Sequence, residues 1–426
     1  MSTMTIAIII FVGTLILYAI NKFSMGTIGM ITMAALLITG CLSAKDALGY
    51  FANKNVILML SMFVVSAGLS RTSFLEKFSN VIVSLAKGSF KKTFLCYIIM
   101  SVILTNLLNS PLVVFTIMLP LVDSMCKHYD INPAKVMFPI GLCCIACCCI
   151  MPFGAAIGQS ALYNGFLESY GFDISFTPLD FFIGRAPFLL IVPAWAFTFG
   201  YKIAPARPIT ELVELTAGNA EKKPLGKFAD IAGVIIFFGV IVLCCFGDQL
   251  SLEAWMICFV GAVLDLVLGV LTSKEAIKAL PVSLACMLIG ALAMAGALTA
   301  TGAGDIIGQF LSSMVGGMHN SYLLGAVFFL LPFILTQFMQ NQAVMAMFVP
   351  ICLMVSKNLN ADPTGFLVLI TAGSLTAFMT PMATSCIPAL MGAGGYDIKS
   401  LIKQGILPSM IFSVIYIIFT MTVMPI

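Results

Sequence analysis

Charge is what this chain lacks. Only 9% of its 426 residues are Asp, Glu, Lys or Arg, against 61% hydrophobic, and mean hydropathy is +1.10. A soluble domain carries about a quarter charged residues, so a cytosolic enzyme and a disordered chain are both excluded. A net charge of +3 offers nothing for nucleic acid. Histidine is scarce too: His128 and His319 both fall in predicted loops, and no CxxC pair recurs at zinc spacing. The fourteen cysteines therefore make no metal pattern. Cys143, Cys144, Cys147, Cys148 and Cys149 read as small packing residues in a helix. No Ser/His or Cys/His pair sits inside the apolar runs, so no enzyme chemistry is expected. What is abundant is apolar sequence carrying 35 Gly and 19 Pro, which membrane helices tolerate better than soluble ones. The expectation is an all-α polytopic membrane protein.

About 20 apolar residues cross the hydrocarbon layer. Such runs cover 4–22, 25–43, 55–71, 178–201, 228–247, 252–271, 279–300 and 405–425. The first has no small-residue cleavage site and reads as a retained transmembrane helix. Four further runs, 93–126, 133–167, 320–356 and 363–395, hold 33 to 37 residues. As single helices they would be about 50 Å or longer, too long for one ordinary span. In 93–126 the centre carries Thr105, Asn106, Asn109, Ser110 and Pro111; in 320–356 it carries Thr336, Gln337, Gln340, Asn341 and Gln342. Half-length arms with a polar tip predict re-entrant hairpins. The other two runs are interrupted at 152–156 and 380–385, which predicts broken helices crossing once. That topology puts seventeen of the 21 Lys and Arg residues on one side and leaves Lys45, Lys54, Arg185 and Lys357 on the other. Double crossing by 133–167 and 363–395 would give 12 against 9. The positive-inside rule selects the first arrangement, with both termini outside and the linker 204–227 cytoplasmic. Arg185 and Lys135 read as residues at span ends.

The chain is written twice, as 1–203 and 228–426. Thr105 matches Thr336, Asn109 matches Asn341, Pro120 matches Pro350 and Pro152 matches Pro381, all 229 to 232 residues apart. Gly184 and Pro187 are echoed by Gly405 and Pro408 at an offset of 221. An odd number of crossings per repeat inverts the second half, a pattern of secondary transporters with midplane sites. Residues 73–87 place Phe74, Phe78, Val81, Ile82 and Leu85 opposite charged side chains, as in an interfacial helix. Unwound chain in a membrane frees carbonyls, amides and hydroxyls, which suit a small hard cation such as sodium, while Asn and Ser donors and helix N-termini suit an oxyanion. Asp265 is the clear intramembrane acid: either a proton relay or a helix-end acid reaching interfacial water.

Leu104-Thr105-Asn106-Leu107-Leu108-Asn109-Ser110-Pro111 with Met118-Leu119-Pro120 resembles the first hairpin of the divalent anion–sodium symporters, in the ion transporter superfamily. Residues 337–343 with Val349-Pro350 resemble the second hairpin, 378–385 running to Gly394-Gly395-Tyr396 the second helix break, and Asn132-Pro133-Ala134-Lys135 the entry to the first broken helix. The resemblance spans nearly the whole chain. In that family a Ser-Asn-Thr triplet at each tip binds carboxylate and sodium; here the second reads Gln340-Asn341-Gln342, and the first is Leu108-Asn109-Ser110 or Asn109-Ser110-Pro111. The resemblance implies substrate contacts at Asn109, Ser110, Asn341, Gln342, Thr384 and Ser385. It implies sodium ligation by Thr105, Asn109, Gly154, Ala155, Thr336, Asn341, Ala383 and Thr384. The function it implies is sodium-coupled symport of a small organic anion, a di- or tricarboxylate, by an elevator-type homodimer; the chain's compactness points to a bacterial inner membrane. An inorganic oxyanion or arsenite carrier, or a cation/proton antiporter using Asp265, is the alternative.

Overall fold

The computed structural model describes residues 2–425 except 21, 75–76, 78–80, 82–88, 109, 211, 213–224, 247–251, 316–319, 382–383 and 385. The side chains of 245–246 and 311–315 are also outside this description. Most of the expected interfacial helix 73–87 and of the linker 204–227, together with Asn109, Ala383 and Ser385, thus lies outside the described residues.

The described residues are helices and connections. The first half runs α1 (Thr3–Ile20), α2 (Met25–Ile38), α3 (Ala44–Phe51), α4 (Lys54–Arg71), α5 (Phe90–Leu107), α6 (Pro111–Tyr129), α7 (Met137–Ala146), α8 (Ala155–Ser169), α9 (Pro178–Arg185) and α10 (Phe188–Trp195). The second runs α11 (Lys227–Phe246), α12 (Ala254–Val267), α13 (Ser273–Ala279), α14 (Val282–Thr301), α15 (Ala303–Val315), α16 (Ser321–Thr336), α17 (Asn341–Leu359), α18 (Thr364–Leu375), α19 (Cys386–Gly394) and α20 (Ile398–Val423). Among the described residues eight helices are long and apolar enough to cross a membrane, or nine if the pair 178–185 and 188–203, bent by 55°, is one span. Hairpin arms α5 and α6 are each long enough to cross on their own, so neither is the half-length arm expected.

Three short helices were not evident from apolar runs. α3 and α13 open on matching caps: Ser43 Oγ accepts from Asp46 N, and Thr272 Oγ1 from Glu275 N, while the carboxylates return to the cap hydroxyls. Each cap satisfies backbone donors that a helix start leaves unpaired. The signal was present, since Ser43-Ala44-Lys45-Asp46-Ala47 recurs as Thr272-Ser273-Lys274-Glu275-Ala276. α15 is amphipathic and follows Leu298–Thr301, as 73–87 follows Leu69–Thr72.

Small residues set the helix packing. α2 lies against α14 so closely that a Cβ on Gly290 would sit 2.2 Å from Gly29 O. Without a hydrophobic driving force between helices in lipid, such close backbone approach is what holds them together. α12 packs on α4 where Gly68 leaves room for Asp265. A second group forms around the hairpins and broken helices: a Cβ on Gly373 of α18 would meet Phe329 O of α16 at 2.4 Å. α8 bridges the groups, with Gly165 against Leu292 of α14 and Asn55 of α4.

Candidate functional site: two helix breaks held by the hairpins

α7 ends at Ala146, and the chain is unwound until α8 begins at Ala155. The first break therefore starts at Cys147, five residues before the Pro152 that marks it in sequence. Cys147, Cys148 and Cys149 lie in it rather than in a helix; Cys143 and Cys144 alone of that run are helical. Ala155 is the first residue of α8, not part of the break. The helix stops early because side chains from elsewhere take its carbonyls. Thr105 Oγ1, fully buried, donates to Cys144 O at 2.6 Å. Asn106 Nδ2 donates to Val102 O at 2.8 Å and to Cys147 O at 3.0 Å, while its Oδ1 accepts from Ile150 N and Met151 N. Cys149 is held at φ 60°, which is uncommon outside glycine.

The second break repeats this. Thr336 Oγ1 lies 3.0 Å from Ser374 O and 2.9 Å from Asn341 Oδ1. Gln337 Nε2 donates to Phe333 O at 3.0 Å and to Thr376 O at 3.1 Å, and Thr380 Oγ1 donates to Gln337 O. In each half a Thr–amide pair at the end of a hairpin arm thus binds the C-terminal carbonyls of the half-helix that follows. Asn106 and Gln337 belong to the polar clusters, but neither is among the ligand positions that the resemblance implies. Their signal was available: both are amides, each directly follows its matched Thr, and the offset is again 231.

Arg185 corrects the charge map. It is not at a span end facing the outside but is 0% exposed, at the bend between α9 and α10. Nη1 donates to Cys148 O and Cys149 O, both at 3.1 Å, and Nη2 to Ala146 O at 3.2 Å. The Tyr416 ring lies 5.7 Å from its guanidinium carbon. A helix C-terminus carries negative partial charge, so this is where a buried cation is best compensated without a carboxylate.

Asp265 is 1% exposed and does not reach interfacial water. Both carboxylate oxygens lack a hydrogen-bond partner among the described residues, and they face Gly68, where a Cβ would stand 2.4 Å from Oδ2. The α4–α12 contact encloses it.

Gly154 closes the first break at φ 56°, ψ −112°, and a Cβ there would stand 2.2 Å from Asn106 O and 2.6 Å from Leu107 O. It fits as the seat of the first hairpin tip. Two cavities adjoin the tips. One is lined by Cys148, Cys149, Ala155, Gln159, Gln342 and Thr371, so it joins the first break to the second tip; Gln342 Nε2 lies 3.5 Å from Gln159 Oε1. The other holds Ser110, which caps α6 through Val113 N, with Ser66, Ser70, Arg71, Glu275 and Lys278. Thr384 Oγ1 is 3.5 Å from Cys386 N at the start of α19. The structure thus brings Gln342 to the first break and Asn341 to Thr336, whereas Ser110 faces a separate cleft and Asp265 neither.

Unwound helices clamped by polar hairpin tips define an integral membrane protein of transporter architecture. The profile of the citrate transporter family, CitMHS, matches residues 15–371 and 251–426, and the chain belongs to that family. Several of its relatives are transporters by name. An "Uncharacterized transporter" of Haemophilus influenzae is 24% identical over 403 residues, 90% of this chain and 86% of that one. The "Putative malate transporter YflS" of Bacillus subtilis is 26% identical over 286 residues, 62% of this chain and 57% of that one. Among solved structures, the YdaH transporter of Alcanivorax borkumensis matches with TM-score 0.59 at 12% identity, covering 89% of each chain. MtrF of Neisseria gonorrhoeae, described with a class of antimetabolite efflux pumps, matches with TM-score 0.58 at 12% identity, covering 99% of this chain and 94% of that one. These two likenesses concern the fold alone.

Proposed function

We propose that this transporter carries a small di- or tricarboxylate into the cell by sodium-coupled symport. The observation that carries the reading is the second break, clamped like the first by a Thr–amide pair from a hairpin, where the oxygens of the described residues are carbonyl, amide and hydroxyl and none is a carboxylate. Carbonyl, amide and hydroxyl oxygens are ligands for a hard monovalent cation, and amide donors suit a carboxylate that must be released after one turnover. Ser110, Asn341, Gln342 and Thr384, with Asn109 and Ser385, are assigned to the substrate. Thr105 and Thr336 act by shaping the breaks, since their hydroxyls already bond to backbone carbonyls. The cleft at Ser110 holds Arg71 and Lys278 against one acid, Glu275, and so attracts anions. Family membership and the malate assignment of the Bacillus relative support an organic anion. Alternating access is of the elevator type, in a homodimer of a bacterial inner membrane. The inverted halves 1–203 and 228–426 provide the two faces, with both termini outside and 204–227 cytoplasmic.

A second reading has its own observation. The enclosed carboxylate of Asp265, without a hydrogen-bond partner among the described residues, is the chemistry of a proton carrier, and proton coupling would run through it. One panel tests both: thermal shift of the purified protein with citrate, malate, succinate, sulfate or arsenite, each in sodium and in choline. A ligand that binds the native state raises its stability. Stabilisation by a carboxylate only in sodium is the expected result. Stabilisation independent of sodium turns the reading to Asp265, and a response to sulfate or arsenite alone overturns the carboxylate.

A further inference from the structure

The two breaks match in their clamps and differ in their charge. Arg185 puts a full positive charge on the carbonyls of Ala146, Cys148 and Cys149 in the first break. At the offset of 221 that relates Gly184 to Gly405 and Pro187 to Pro408, the second half has Ile406, which is 50% exposed. Among the described residues no lysine or arginine donates to the second break. What the second break has instead is acceptor oxygen without a donor. Gln337 is 7% exposed; its Nε2 is spent on two carbonyls, and its Oε1 has no hydrogen-bond partner among the described residues. The matching Asn106 Oδ1 is satisfied by two backbone N–H groups.

Buried acceptors are paired as a rule, and leaving them unpaired inside a membrane is costly. A buried cation likewise needs compensation, and carbonyls at a helix C-terminus supply it. The same architecture therefore meets the same electrostatic demand in two ways. We propose that the Arg185 guanidinium is a resident cation that takes the place of an inorganic ion at the first break. The chain then binds one inorganic cation, at the second break, with Gln337 Oε1 as a ligand. A sodium ion beside the guanidinium would be repelled by a fixed like charge in a low-dielectric site. The consequence is a coupling ratio lower by one than two equivalent breaks would give. This rests on the sodium-coupled reading above, and the test separates the two.

The measurement is equilibrium binding of ²²Na⁺ to the purified full-length protein, counted per chain, for wild type, Arg185→Gln and Gln337→Leu. Expected are one site in wild type, two in Arg185→Gln and none in Gln337→Leu. Two sites in wild type overturn the proposal, as does an Arg185→Gln protein whose count is unchanged. No site in wild type with one in Arg185→Gln sinks sodium coupling but upholds the resident cation. Should Arg185→Gln unfold in choline, recovery of its folded state in saturating sodium supports the proposal, and unfolding in both salts overturns it. Arg185→Lys, which keeps the charge, is expected to retain the wild-type count; a gained site there also overturns it.

Discussion

The carbonyls of the first break are taken up by side chains of the protein, whereas the second holds, among the described residues, an amide oxygen without a hydrogen-bond partner. In the first, Thr105, Asn106 and Arg185 account for the carbonyls of Cys144 and 146–149, and Asn106 Oδ1 for two N–H groups. In the second, Thr336 and Gln337 repeat the inner part of that network, but Gln337 Oε1 has no hydrogen-bond partner among the described residues. On the proposal above, one added methylene and the exchange of an arginine for an isoleucine separate a rigid joint from a ligand site.

The largest effect that would break this comparison is at Gly154. With φ 56°, ψ −112° and hairpin carbonyls 2.2 and 2.6 Å from a Cβ, Gly154→Ala combines strain with overlap and is expected to cost roughly 4 kcal/mol. Little folded protein should emerge from size-exclusion chromatography. The equivalent place in the second half is Ala383, outside the described residues. Next come the two amides. Asn106→Leu strands two N–H groups and a break carbonyl and is expected to cost at least about 3 kcal/mol, read as a lower Tm. Gln337→Leu strands one break carbonyl but removes an unpaired oxygen, so its stability loss should be about 1 kcal/mol while uptake falls far more. Equal losses of Tm in the two variants would remove the distinction between joint and site.

Thr105→Val and Thr336→Val sharpen the comparison, since each removes one hydroxyl at nearly constant shape. About 1 kcal/mol is expected for each. Sodium dependence of uptake should shift for Thr336→Val, whose hydroxyl also touches Asn341, and not for Thr105→Val. The smallest effect lies outside both breaks. Thr272 backbone N–H and hydroxyl, together with Arg71 at 3.1 Å, hold Glu275 below the usual carboxylate range. A depressed folded pKa gives stability that is present above the unfolded value of about 4.3 and is lost as pH falls through the folded one. Glu275→Gln should therefore cost roughly 0.5 kcal/mol at neutral pH, with the gap to wild type closing as the pH is lowered past 4. A gap that stays open in acid would mean that the cap, not the charge, stabilises α13.

Composition and spacing alone determined much of this protein. A chain with 9% charge and twenty-residue apolar runs can satisfy its backbone in lipid only as helices, so class and most spans were legible. The recurrence at offsets near 230 pointed to Thr105 and Thr336, and each lies at hydrogen-bond distance from a carbonyl of the half-helix that follows its arm. The short helices α3 and α13 were equally written, in a repeated cap that apolar runs do not reveal. Where the helices actually break, and with what charge, only the tertiary structure decided. The first break begins at Cys147 rather than Pro152 because distant side chains outbid the helix for its carbonyls. Arg185 reads as a span-end residue until the bend after α9 turns it onto those same carbonyls. Backbone acceptors have no letter in the sequence, so a partnership with them becomes visible only once the chain has folded.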